Sequence, residues 1–131
     1  MEFIIDISGI ALKDCIDSVT CRVDTPNDSD ARSNIVSNLI EISGRVGTVE
    51  KTIDLYNWSL LPSSDSKAYR NVKVTVIESN AIPKRVLEFP DAFVVDYYES
   101  YSRSSGEGTF NLYLKQKKDK NSSVKVSGEV I

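Results

Sequence analysis

The chain has 131 residues, 40% of them hydrophobic, which suits one compact domain built round a single core (residues 1–131). Sixteen basic against 19 acidic residues give a net charge of -3, which argues against a basic nucleic-acid-binding domain. Histidine is absent, which excludes His-dependent triads, His-based zinc sites and a histidine pH switch.

In chain order, Met1 to Leu12 has no basic segment ahead of it and is broken by Glu2, Asp6 and Ser8, so it does not read as a signal peptide. Within it Phe3, Ile5 and Ile7 alternate with polar positions, the pattern of a half-buried strand. Val19, Cys21 and Val23 repeat the pattern, and Cys15 falls on the same face. Two same-face residues six apart lie about 20 Å from each other along a strand, too far for a disulfide. Both cysteines are expected to be reduced core residues of a protein made in the cytoplasm. Asp24 to Asn38 is a long polar stretch between strands, and a connection of that length usually has a function. Ile40, Ile42 and Val46 form the next alternating run.

From Thr48 to Leu61 the rhythm changes. Val49, Ile53, Tyr56 and Leu60 recur at spacings of four, three and four, which predicts one short helix with those residues inward. Thr48 would cap it, Glu50 would sit in its first turn, and Pro62 would stop it. A strand through Ile53 and Leu55 is the rival. Ser63 to Arg70 reads as a polar connection.

Val72, Val74 and Val76 alternate again, and Ser79-Asn80-Ala81 reads as a hairpin turn to Lys84–Phe89. Pro90-Asp91 should break the next pair. Ala92 to Tyr101 is strand-like and apolar on both faces, with Phe93, Val95 and Tyr97 on one side and Val94 and Tyr98 on the other. Ser104 to Gly108 is a turn into Phe110, Leu112 and Leu114. Phe93, Val95, Phe110, Leu112 and Leu114 are expected in one buried cluster. Lys117 to Ser122 makes the last turn, before Val124, Val126 and Val130. No apolar run approaches the roughly 20 residues needed to cross a bilayer. Short strands at regular spacing with one mid-chain helix predict an all-β sandwich or barrel.

Little chemistry is visible. Asp91, Asp96 and Glu99 lie near tyrosines, but alternation places the carboxylates in solvent. The serines lack an activating base, and Gly106-Glu107-Gly108 is a turn, not a phosphate loop. Asp24, Asn27, Asp28 and Asp30 lack the glycine and final glutamate of a calcium loop, so no metal site is assigned. Lys115, Lys117, Lys118 and Lys120 read as a solvated hairpin tip. These features favour assembly or binding over catalysis, with no catalytic residue and no cofactor.

The block FPDAFVVDYYESYS followed by GEGTFNLYLKQKKDK, with YNWSLLP ahead of AYRNVKVTV, resembles Hcp-like tube proteins of type VI secretion and related phage-tail-like contractile injection systems. The resemblance covers roughly the C-terminal two-thirds well. It departs from the classical pattern, matching the WSWG-type segment only at Trp58-Ser59 and lacking the nearby histidine. It implies a small β-barrel of two packed antiparallel sheets with one short flanking helix. It also implies homohexameric rings that stack into a hollow tube for effector delivery. The partners would be other copies of the chain and the sheath, baseplate or spike and effector proteins of the apparatus. Neither nucleic acid nor membrane insertion is expected. The protein would be cytoplasmic when made and extracellular on firing, without a signal peptide.

A neighbouring subunit would then cover the second face of the aromatic strand, making Val94, Asp96 and Tyr98 the inter-subunit strand residues. The long loop would stack ring on ring through Asp28, Asp30, Arg32, Ile35 and Val36. The competing function is a sandwich module that binds peptide or glycan on a platform of Tyr97, Tyr98, Tyr101 and Tyr113.

Overall fold

In the computed structural model of the chain, one 20-residue strand, β6 (Pro83–Ser102), serves two sheets in turn. The structure describes residues 1–25, 36–47, 50–78 and 82–128. The other strands are β1 (Glu2–Ile7), β2 (Ile10–Leu12), β3 (Ile16–Asp24), β4 (Ser37–Arg45), β5 (Arg70–Ile77), β7 (Glu107–Gln116) and β8 (Lys125–Gly128). Among the described residues the one α-helix, α1, spans Ile53–Ser59, and short 3-10 turns cover Ser66–Ala68 and Lys118–Ser123.

All pairings are antiparallel, in the order β2-β1-β5-β6-β7-β4-β3. The first half of β6 pairs with β5 on one side and with β8 on the other. Its second half, from Ala92 to Ser102, pairs with β7. One half-sheet is therefore β2-β1-β5-β6-β8 and the other is β6-β7-β4-β3. Their inner faces meet in one core of Ile5, Ile7, Val72, Val74 and Phe89 against Ile40, Ile42, Phe110, Leu112 and Leu114. This is the expected all-β barrel of two packed antiparallel sheets with one flanking helix.

Pro90-Asp91 does not break the strand; it bends it. Phe89 and Ala92 both point inward, three residues apart, so the alternation changes phase at the bend. The buried Gln116 side chain stands there. Its Oε1 accepts from the Asp91 amide at 3.4 Å, and the Lys117 amide donates to the Asp91 carbonyl at 2.8 Å. A second change follows at Val95, where a bulge leaves this residue without a partner between Val94 and Asp96. Val94 and Tyr97 consequently pack on the core, while Val95 is 57% exposed. The expected cluster thus forms round Phe110, Leu112 and Leu114 but excludes Val95. Phe93 is half-buried against Tyr69, with ring centroids 5.9 Å apart.

The helix forms in the predicted segment but turns its other face inward. Leu55 and Trp58 are buried, and the Trp58 indole Nε1 donates to the Ala68 carbonyl at 2.9 Å. Ile53, Tyr56 and Leu60 are exposed. The helix begins at Ile53, after Thr52; Thr48 and Val49 lie outside the described residues. Glu50 lies ahead of the helix, not in its first turn. Its carboxylate accepts from the Lys13 amide at 2.7 Å and the Cys15 amide at 2.8 Å. Those bonds hold the carboxyl below the usual range against the opposing effect of its partial burial.

The Lys13 to Cys15 turn carries the chain from the first half-sheet to the second. Gly44 lets it approach: a Cβ there would lie 2.2 Å from the Cys15 carbonyl and 2.9 Å from the Phe110 ring. Cys15 is buried, and burial with the adjacent Glu50 carboxylate pushes its thiol up to about 12. Both cysteines are free, but Cys21 is exposed on β3, which corrects its expected core position. Among the described residues no strand pairs with β3 beyond β4 to cover it. The Ser79 to Ala81 turn and Val130 lie outside the described residues, and Val126 on β8 is exposed, not half-buried.

Two stability tests follow from this packing. Phe110→Ala should cost about 3–5 kcal/mol in urea unfolding, whereas Val95→Ala should leave the midpoint almost unchanged. Gly44→Ala should cost about 1–3 kcal/mol through overpacking, while Gly47→Ala, with nothing near its Cβ position, should cost far less. The pH dependence of Glu50 gives a third. Its folded-state pKa is lowered, so its contribution is present above the ordinary carboxylate range and is lost as pH falls through the folded value. Acid unfolding of Glu50→Gln should therefore show a shallower loss of stability than the wild type.

Candidate assembly surfaces

The surfaces left open by the fold follow from its pairing. In the second half-sheet, β3 pairs only with β4, and residues 93–102 of β6 pair only with β7, among the described residues. The half-sheet thus ends in a free strand edge on each side. Such edges expose unpaired backbone groups and are natural sites for another chain to add.

Outward side chains on this half-sheet are mostly polar. A depression of about 290 Å³ is floored by Leu39, Val95 and Tyr113 and ringed by Arg22, Glu41 and Asp96. Tyr98 and Tyr113 stack beside it, with centroids 6.4 Å apart. Inward, beyond the core, lies a different surface. Tyr97 stacks on Phe110 and meets Tyr56 of α1 edge-on at 5.6 Å. The hydroxyls of Tyr97 and Tyr101 both donate to the Glu99 carboxylate. Burial first, and then that carboxylate, raise the Tyr97 hydroxyl well above the usual phenol range. The Tyr101 ring lies across Gly108, where a Cβ would come within 2.7 Å of it.

Between α1 and this end of β6 runs a groove of about 570 Å³, lined by Val46, Ile53, Tyr56, Leu60 and Tyr101 with Glu99. Its apolar lining is well exposed: Ile53 69%, Leu60 68% and Tyr101 69%. Sequence reasoning missed this groove because it placed Ile53, Tyr56 and Leu60 in the core. The signal present was Trp58, the largest side chain in the segment, on the opposite helical face.

The predicted site residues fall as follows. Asp28, Asp30, Arg32 and Ile35 lie outside the described residues. Val36 precedes β4, and its carbonyl accepts from the Asn121 side chain. The loop connects the paired strands β3 and β4, which meet at Asp24 and Ser37. In the inter-subunit trio Val94 turns inward onto the core, two residues after inward Ala92, and the bulge at Val95 then leaves Asp96 and Tyr98 outward. The tyrosine platform is divided, with Tyr97 inward, Tyr101 in the groove, and Tyr98 and Tyr113 outward. Among the described residues no group of three or more Cys, Asp or Glu could hold a metal ion. Among them, too, no helix is long and apolar enough to cross a membrane.

No protein-family model matches the chain, and no curated protein is detectably similar in sequence. Solved structures match it well. Hcp1 from Flavobacterium johnsoniae superposes with a TM-score of 0.70 at 16% identity, covering 98% of this chain and 97% of the other. Hcp1 from Salmonella typhimurium gives 0.65 at 12% identity, over 86% and 79% of the two chains. A chain of the sheath-tube complex of an extracellular contractile injection system also gives 0.65 at 12%, over 97% and 88%. The chain therefore has the fold shared by Hcp and contractile-injection tube proteins, as the sequence resemblance implied.

Proposed function

We propose that this protein is a structural subunit of the inner tube of a contractile injection apparatus, of type VI secretion or phage-tail-like kind. Its copies form homohexameric rings, and the rings stack into a hollow tube through which effectors are delivered. The observation that carries this reading is the superposition on the Flavobacterium Hcp1, which runs through 98% of this chain and 97% of the other at a TM-score of 0.70. The two free edges of the second half-sheet support it, since a ring subunit needs two different lateral surfaces. So does the division of the tyrosines between faces, which removes the continuous aromatic platform required by a peptide- or glycan-binding module.

In this role the protein has no catalytic residues and needs no cofactor. Its partners are further copies of itself and the sheath, baseplate or spike and effector proteins of its apparatus. It is made in the cytoplasm and reaches the exterior with the firing tube. Asp28, Asp30, Arg32, Ile35 and Val36 form the stacking element between rings, while Asp96 and Tyr98 belong to the lateral side of the subunit. An apolar pair beside mixed charges suits a head-to-tail contact, with burial supplying affinity and charge setting orientation.

Light scattering coupled to size exclusion tests the ring: the wild-type chain should elute near six times its 14.6 kDa mass, and a monomer would overturn the reading. Replacing Asp28 to Val36 with a short Gly-Ser linker tests the stacking element. Rings should persist while tubes vanish from electron micrographs; long tubes from this variant would remove the loop from that role.

A further inference from the structure

The chain carries two unfinished surfaces that complement each other. On β3, Cys21 and Val23 share the inward face, opposite the buried Ile40 and the half-buried Asn38 of β4. Among the described residues neither is buried: Cys21 is exposed and Val23 is 59% exposed. At the other side of the same half-sheet, the α1 groove is an inward-facing surface with an exposed apolar lining. The outward faces complement each other as well. Arg22, between Cys21 and Val23, points outward, and Asp96 of β6 does the same. Among the described residues neither is in an ion pair. Both strands also present a free backbone edge.

We infer that the groove between α1 and the end of β6 receives the Cys21–Val23 segment of β3 from a second copy of this chain. Laid beside residues 93–102 of β6, that segment places inward side chains against Ile53, Tyr56, Leu60 and Tyr101. The same placement sets its outward Arg22 towards outward Asp96. Apolar surface thus meets apolar surface on one face, and cation meets carboxylate on the other. The contact joins two different patches, so each copy still has one of each to offer. Repetition builds a closed ring or an open chain, never a closed dimer. This inference rests on the ring reading above and assigns the residues of its lateral contact.

Two variants that alter only exposed side chains test it, one per surface: Ile53→Glu/Leu60→Glu in the groove and Arg22→Glu/Val23→Glu on β3. Each alone should elute as a monomer. An equimolar mixture should elute at twice the chain mass, because one intact groove meets one intact β3 edge and the remaining surfaces are both blocked. That dimer also demonstrates that both variants are folded. Cys21 supplies a second readout, with buried Cys15 as internal reference: a thiol reagent should modify Cys21 in the assembled wild type about tenfold more slowly than in the groove variant. Variants that still form rings would overturn the assignment and leave the ring reading intact. Monomeric variants whose mixture gives no dimer would overturn the pairing of these two surfaces. A monomeric wild type would instead be the failure of the ring reading itself.

Discussion

The membership of β6 in two sheets is the constraint on which the rest of this structure depends. A strand can bend between sheets only where its hydrogen-bond ladder is released and taken up by other groups. Pro90 has no amide to satisfy, so it suits that point. Asp91 has one, and the Gln116 side chain accepts it while Lys117 donates to its carbonyl. Gln116 is fully buried, and among the described residues no buried side-chain polar atom lacks a partner. A buried amide that spans the release point lets one strand turn the corner without an orphaned donor. The sheets then face each other across a shared core. The other corner, at Lys13 to Cys15, uses the same device with a charged group: the Glu50 carboxylate takes two amides that no strand can reach.

The division of β6 also decides what is left open. Its first half has a neighbour on each side, β5 and β8, and is finished. Its second half has β7 on one side only, and β3 closes the opposite margin of that half-sheet. A free monomer with two such edges carries an aggregation liability, which proteins normally blunt with charge, bulges or cover. Here the β6 edge has a bulge at Val95 and carries Asp96 and Glu99, and α1 lies against its inner side. The β3 edge carries Asp17, Arg22 and Asp24. In the proposed ring these devices would favour a partner with matching charge. A single lateral geometry is what a closed ring requires, since any slip in register would open it into an irregular chain.

Much of this fold was legible in the sequence because the strands that pair inside the barrel keep strict alternation. Ile5 and Ile7, Ile40 and Ile42, Val72 and Val74, and Phe110, Leu112 and Leu114 all point where period two places them. The failures sit where geometry departs from period two without a glycine or proline to announce it. The bulge at Val95 leaves no mark in FVVDYY, since aromatic and β-branched residues occupy both faces there. The extra residue leaves Val95 outward and lets Val94 and Tyr97 both face inward, three residues apart. In α1 the periodicity marks the helix but not the face that turns inward. Seven residues give only two turns, and both the Ile53–Tyr56–Leu60 and the Leu55–Trp58 stripes are apolar. Cys21 obeys alternation but lies on a margin, and strand order is not encoded in the strand itself. The groove was illegible for the same reason, because it needs three segments from distant parts of the chain.

These misreadings share a cause that bears on function. Periodicity alone places every apolar stripe in the core, because it treats a single chain as burying all that it carries. Ile53, Tyr56, Leu60 and Tyr101 on one side, and Val23 on the other, are apolar surface that the described elements of the barrel leave exposed. Scattered exposed hydrophobics need no explanation, but residues gathered from a helix and a strand end into one groove do. In a ring of the proposed kind, one modest contact is repeated round a closed circuit. Closure makes the last contact intramolecular, so the ring holds more tightly than any one of its contacts alone. A 290 Å³ depression and a 570 Å³ groove, neither with a reactive group at its centre, suit that regime. The chain therefore keeps its chemistry plain and concentrates its unusual features, a shared strand, two open edges and an uncovered helix face, where copies would meet.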